Sequence, residues 1–496
     1  MPISRGARLL LAAVLAIMVK PAIPECRYFV SETGPVFQCI SPRDGAVLYE
    51  RRFPSAGEIE SSVARARAAQ ASWAATDPTV RQEACRKFVA AFVKDASTHA
   101  EDIAAQMGRP IRFGKGEVAG FEERAARMID LAPDALANLP APAKPGFTRF
   151  IQKRPLGLIL IIAPWNYPYL TAVNSIVPAL LAGNAVILKH SHQTALCAER
   201  LVAAVAEADL PDGLFQYLHM SREQTAAFIA GGHADGAVFT GSVQGGAQIE
   251  TAAKGQFIPV GLELGGKDPA YVRADAEIAS AAAQVADGAF FNSGQSCCGV
   301  ERVYVHADIY DDFVDALVAE ANQLKLGDPF DPATTLGPMV RSAAADFVRA
   351  QVSDACGAGA RCLIDETKFS ASAPGTPYLA PQVLVDVDHN MGLMRDETFG
   401  PAIGVMKVEN DEEAIALMND SDFGLTASIW SADVERALDL AGTINTGTVF
   451  LNRCDYLDPD LAWTGVKQSG RGVSLSPLGF DQLTRVRSIH FRHLQE

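Results

Sequence analysis

The chain has 496 residues, which exceeds what one hydrophobic core serves and sets an expectation of about three domains. It is 49% hydrophobic and 20% charged, as ordinary globular proteins are, and its formal net charge of −15 with no basic stripe argues against a nucleic-acid partner. The 9 cysteines are scattered and contain no C-x-x-C, so neither a disulfide framework nor a metal site is expected, and a reducing compartment fits best.

Residues 1–23 stand apart. Arg5 and Arg8 precede an apolar stretch over 9–19, and no acidic residue occurs before Glu25. That is the outline of a secretory signal, yet it is shorter than the ~20 apolar residues that span a bilayer and lacks a clean cleavage site. One reading is an exported or membrane-associated protein. The other, preferred here, is translation starting at Met18 and a cytoplasmic protein.

Residues 57–75, 80–107 and 115–138 read as Ala-rich helices, and the Pro- and Gly-containing run 139–146 as a linker. Residues 147–153 alternate like an exposed strand, a candidate oligomer contact. The continuous apolar run 156–163 reads as a strand buried on both faces, ending in Pro164-Trp165-Asn166-Tyr167-Pro168. A helix to residue 181, a strand over 185–188 ending at Lys189, a helix over 194–208 and a strand over 237–242 follow. Such alternation implies parallel β/α/β units, whose ligands bind beyond the carboxyl ends of the strands. Asn166, Lys189 and Ser242 share that address. Further strands are expected at 258–264, 303–306, 403–408, 425–430 and 449–452, with a surface loop over 370–378.

The stretch Phe290-Phe291-Asn292-Ser293-Gly294-Gln295-Ser296-Cys297-Cys298-Gly299 organises the rest. An Ala-rich helical run starting near Ala274 ends in it, and Cys297 sits on the loop that follows. A free thiol titrates near ~8.5, so backbone N–H groups must favour its thiolate if it is a nucleophile. Glu263, flanked by leucines and followed by Gly265-Gly266, is a candidate general base whose pKa partial burial would raise. The Asn166 amide is a candidate donor to an oxyanion. In Glu397-Thr398-Phe399-Gly400-Pro401 the carboxylate suits a ribose hydroxyl and the ring a flat cofactor, while Lys189 suits sugar hydroxyls or a phosphate. Each has a plainer reading: an inert buried thiol, a solvent-facing glutamate, a turn asparagine, a strand start, a solvated lysine. No G-x-G-x-x-G follows the first strand. The residues alone describe a large α/β protein with a Cys/Glu/Asn site and a nucleotide-like cleft.

Five stretches, occurring in order, resemble the aldehyde dehydrogenase superfamily. They are Pro164-Trp165-Asn166-Tyr167-Pro168, Phe239-Thr240-Gly241-Ser242, Leu262-Glu263-Leu264-Gly265-Gly266-Lys267, the 291–297 loop and Glu397-Thr398-Phe399-Gly400-Pro401. The resemblance runs from about residue 35 to the C-terminus. It implies two interleaved open parallel α/β domains plus a small β oligomerisation arm. Residues 24–140 and 157–263 would bind the dinucleotide, 264–470 would form the catalytic domain, and 141–156 with 471–496 would form the arm of a homodimer or homotetramer. It also implies that Cys297 attacks an aldehyde, that Asn166 and the Cys297 N–H hold the oxyanion, and that Glu263 activates the water releasing a carboxylic acid. Lys189 and Glu397 match holders of the two riboses. Trp165, Gly241, Ser242 and Phe399 match other cofactor contacts, and Tyr167, Tyr456 and Trp463 match the aldehyde pocket, which suits an apolar aliphatic or aryl aldehyde.

The chain also departs from the family pattern. His192 stands where many NAD-preferring members carry an acidic residue, so NAD or NADP is expected as cofactor. Residues 217–221 lack the usual glycines. Competing readings are a CoA-acylating enzyme, against which Glu263 argues, a cofactor-independent thiol esterase using Cys297, and a non-catalytic binding protein, for which loss of Cys297 or Glu263 would be expected.

Overall fold

The structure, a computed structural model, describes residues 27–31 and 34–494; the apolar segment 1–23 lies outside them. Two mostly parallel sheets carry the molecule. The first has six strands in the order Gly470–Arg471, Val260–Glu263, Gly236–Thr240, Leu158–Ala163, Ala185–His190 and Phe215–Tyr217, parallel except for the first. Every residue of Leu158–Ala163 and Ala185–His190 is buried, because helices cover both faces and leave no polar side to alternate with. Pro168–Leu181 is buried along most of its length and packs on Ile111–Ala135.

The second sheet has seven strands, in the order Arg361–Cys362, Gln382–Val385, Ala402–Val408, Val300–His306, Asp268–Val272, Thr426–Trp430 and Thr448–Leu451. Only the outermost, Arg361–Cys362, runs antiparallel. Its core gathers Val303, Val305, Ile403 and Val405 beneath Phe290, Phe313 and Leu317. Asp268–Val272 and Gln382–Val385 escape the apolar-run criterion because a buried polar residue opens each: Asp268, held by Thr426, and Gln382, which donates to Glu366.

Elsewhere the chain departs from its local pattern. The helix expected over 80–107 is two, Pro78–Val93 and Ala96–Met107, broken so that the His99 ring lies flat on Phe92 at 4.2 Å. The expected linker is a turn: Leu139–Pro140 pairs with Phe147–Pro155, which in turn pairs along its whole length with Thr484–Arg492. No described helix is long and apolar enough to cross a membrane.

Candidate active site

The strand ends of the first sheet and the loops leading into the second enclose a cleft of about 1230 Å³. Cys297, Glu263 and Asn166 reach its wall. So do Trp165, Lys189, Gly241, Ser242, Glu397 and Phe399. Residues as far apart in number as Trp165 and Phe399, on separate elements, therefore share one cavity wall.

Cys297 follows a tight loop. The helix Ile278–Phe290 ends against Phe291–Gly294, where Asn292 (φ 54°) and Ser293 (φ 57°) take the left-handed backbone. Gly294 continues at φ 67°, where a Cβ would meet the Gly400 carbonyl oxygen at 2.2 Å, so only glycine fits there. Gly266 is equally constrained: a Cβ would lie 2.3 Å from the Cys297 carbonyl oxygen, so the glycine lets the Glu263 segment pass against the Cys297 backbone. Cys297 is half-buried. Its neighbour Cys298 is buried and pushed well above the ordinary thiol range, first by its hydrogen bond with Cys297, then by burial and by Asp455, whose carboxylate accepts from it at 2.8 Å. Cys298 thus stays a protonated donor beside Cys297.

A buried network that the motifs do not announce holds the loop. Arg109 pairs with Glu117, both almost fully buried, and donates to Asn292 Oδ1 at 3.1 Å and to the Asn166 carbonyl. Glu117 accepts the Tyr169 N–H at 2.8 Å, fixing the start of Pro168–Leu181. Asn166 Nδ2 donates to the Gln295 carbonyl at 3.1 Å, and Gln295 Oε1 accepts the Val340 N–H at 2.8 Å. One amide hydrogen of Asn166 is therefore committed to the loop and the other remains for a ligand.

Glu263 ends its strand, paired with Thr240 on one side and Gly470 on the other. Its carboxylate accepts from Ser474 Oγ at 2.5 Å and Thr240 Oγ1 at 3.0 Å. Burial raises its pKa, and the two hydroxyls and Arg124 oppose that rise. The plain reading of a solvent-facing glutamate therefore fails.

Across the cleft, Glu397 accepts the Gly266 N–H at 3.1 Å, and burial, with Glu301 nearby, pushes its carboxyl up to about 8. The loop 397–399 rests on a second buried ion pair, Lys267 to Glu301 at 2.6 Å. Glu301 accepts both the Thr398 and Phe399 N–H groups at 2.8 Å, and Phe399 (φ 49°) turns its ring edge-on to Trp165 at 5.6 Å. Ser242 caps the helix Val243–Ala253 by accepting the Gly245 N–H, so that helix directs its N-terminus at the cleft, where phosphate oxygens find donors. An aromatic pair, a helix N-terminus, a lysine and a carboxylate are the groups a nicotinamide dinucleotide needs, and the residues present fit it.

Four of the expected site side chains also make contacts of their own. The Tyr456 ring lies under Arg453 at 4.1 Å and its hydroxyl donates to Glu123. Trp463 is buried in the core around the first sheet, its backbone paired with Ser474. The Tyr167 ring lies 4.4 Å from the Arg109 guanidinium. His192 is buried. It stacks on Phe37 at 4.3 Å and Nε2 meets the Met220 carbonyl at 2.8 Å, while Ser191, Arg222 and Glu223 line the cleft.

This arrangement defines the class: an α/β enzyme with a dinucleotide-sized cleft and a loop thiol at its foot. The chain belongs to the aldehyde dehydrogenase family, whose model matches residues 29–489. It is 33% identical over 452 residues to succinate-semialdehyde dehydrogenase [NADP(+)] 1 of Mycobacterium tuberculosis, covering 91% of this chain and 98% of that protein. It is 37% identical over 449 residues to 4,4'-diapolycopene aldehyde oxidase of Methylomonas sp, covering 87% of this chain and 81% of the relative. The solved succinic semialdehyde dehydrogenase of Streptococcus pyogenes, in complex with NADP+, superposes with a TM-score of 0.87 at 29% identity, over 92% of this chain and 99% of that one. The protein is an NAD(P)-dependent oxidoreductase acting on aldehydes.

Proposed function

We propose that Cys297 is the nucleophile, Glu263 the general base and Asn166 the oxyanion donor of aldehyde oxidation to a carboxylic acid. The observation that carries this is the Gly266 backbone lying against the Cys297 carbonyl, which brings Glu263 and the thiol to one cleft wall. The Cys297 thiolate adds to the carbonyl carbon, and the oxygen takes its negative charge towards the uncommitted Asn166 N–H and the Cys297 N–H. Trp165, Lys189, Gly241, Ser242, Glu397 and Phe399 hold NAD(P), which when bound accepts a hydride. Glu263 then takes a proton from the water that attacks the Cys297 thioester, its raised pKa making it a better base than an exposed glutamate. Glu263→Gln should give one burst of reduced cofactor and then stall, with steady turnover down about 10²–10⁴-fold. Undiminished steady turnover would remove Glu263 from the role.

The aldehyde's carbon chain lies against Tyr167, Tyr456 and Trp463, which suits an apolar aliphatic or aryl aldehyde. Arg124 favours a second reading. Its half-buried guanidinium donates to the Leu170 carbonyl at 2.9 Å and to Asn174 Oδ1 at 3.4 Å rather than to a carboxylate, and so suits the acid group of a semialdehyde. Specificity constants for succinate semialdehyde and an apolar aldehyde of equal length decide between them. We also assign dinucleotide binding to 24–140 and 157–263, catalysis to 264–470, and homodimer or homotetramer assembly to 141–156 with 471–496. Support for the last is the sheet of Phe147–Pro155 and Thr484–Arg492, which exposes Val486 and Phe491. The location we propose is the cytoplasm, where free cysteines such as Cys39, Cys85 and Cys197 stay reduced.

A further inference from the structure

We propose that Cys356 and Cys362 form a dithiol that a hydroperoxide converts reversibly to an intramolecular disulfide. The two sulfurs lie 2.8 Å apart, and a bonded pair at about 2.05 Å requires less than ~1 Å of further closure. Cys356 sits in the last turn of the helix Ser342–Gly357 and Cys362 on the strand Arg361–Cys362, joined by a turn in which Gly359 takes φ +114° with open space around it. Cys356 is half-buried and Cys362 exposed, so an oxidant in solution reaches both.

Among the described residues, the other cysteines apart from Cys297 are poor competitors. Cys39 and Cys85 are buried and pushed up to about 12 by desolvation, Cys197 and Cys454 are raised by burial, and Cys298 is held protonated as described above. Thiolates, not thiols, attack peroxides. Within the surface pair the roles divide. Burial and the contact with Cys356 push Cys362 up to about 12, and the proposal takes Cys356 as the sulfur that reacts first. Cys356 attacks the peroxide oxygen, the O–O bond breaks, and an alcohol leaves with the thiol proton, giving Cys356 sulfenic acid. The Cys362 sulfur then displaces the hydroxyl group from that sulfur, and its proton departs with it as water. Two thiols lose two hydrogens and two electrons, and the peroxide is reduced to alcohol and water.

The bond joins the far end of a helix to the outermost strand of the seven-stranded sheet. At its near end the same helix supplies Ala344 and Phe347 to the cleft wall. An exposed bond in so short a ring is of the reducible kind.

The test uses the full-length Cys297→Ala chain, so that the proposed nucleophile does not consume oxidant, titrated with tert-butyl hydroperoxide. The expected result is the loss of two titratable thiols per chain, a mass fall of about 2 Da, a peptide linking 356 to 362 and full recovery with dithiothreitol. Adding Cys362→Ser should stop the reaction at a dimedone-reactive Cys356, and adding Cys356→Ser should abolish the loss. Retention of all thiols, loss from a different pair, or a disulfide between chains overturns the proposal. None of these outcomes depends on the reading of the active site.

Discussion

The two loops that line the cleft, packed together where Gly294 meets the Gly400 carbonyl, are held by the same device in different settings. Each carries left-handed backbone, Asn292 and Ser293 in one and Phe399 in the other, and each is fixed by one buried ion pair. The Arg109–Glu117 pair lies at the start of the helix Ile111–Ala135 and reaches the nucleophile loop and the Asn166 turn together. The Lys267–Glu301 pair belongs to the second sheet and reaches only the 398–399 backbone and Thr398. The difference teaches that the positions of the proposed reacting groups and of the proposed cofactor holders are set by separate elements. They should fail separately.

The largest effect tests the groups themselves. Cys297→Ala should lower aldehyde oxidation on the order of 10⁴-fold or more while the protein still binds reduced cofactor, as its fluorescence reports. Substantial turnover would place the nucleophile elsewhere. Next comes Arg109→Met, which leaves Glu117 buried without its cation. It should cost about 3–5 kcal/mol in denaturant unfolding and lower kcat in the surviving folded protein, with cofactor KM nearly unchanged. Glu301→Gln inverts the pattern: a rise in cofactor KM of about 10-fold with a smaller change in kcat, since the Thr398 and Phe399 N–H groups lose a charged acceptor. Parallel changes in both constants for both variants would erase the distinction.

The smallest effect lies behind Cys297. Burial lifts the Asp455 carboxyl to about 6, against donation from Cys298 and Ser296. A folded-state value above the unfolded one means the native state holds this proton more tightly. The stability it contributes is therefore full at low pH and lost as pH rises through about 6. Asp455→Asn cannot ionise, so its thermal midpoint relative to the parent should climb between about pH 4.5 and about pH 8. A constant difference across that range would show that Asp455 is not buried as described.

The readability of the sequence followed the range of the forces involved. Strands such as Leu158–Ala163 and Ala185–His190 are legible because continuous apolar character needs no partner to be recognised. Asp268–Val272 is not, because Asp268 becomes acceptable inside only once Thr426, far along the chain, donates to it. The site divides in the same way. Cys297, Glu263 and Asn166 stand out through the glycines, amides and prolines around them. Arg109, Glu117, Lys267 and Glu301 carry no such local mark, since a charged residue reads as surface until its buried partner is known. His192 and Tyr456 make the same point, since their partners Phe37 and Glu123 lie far along the chain.

By itself, then, the sequence determined which segments become buried parallel strands and where the backbone must turn tightly beside a thiol and a carboxylate. Those are properties of hydrophobic period and of φ/ψ restriction, which act over a few residues. Only the tertiary structure decided which charges face one another in the dry interior, which way each ring points and which sulfur meets which. Such pairings depend on where the folded chain brings side chains together, whether 6 and 8 positions apart, as Cys356–Cys362 and Arg109–Glu117 are, or 34, as Lys267–Glu301 are, and no local pattern encodes them.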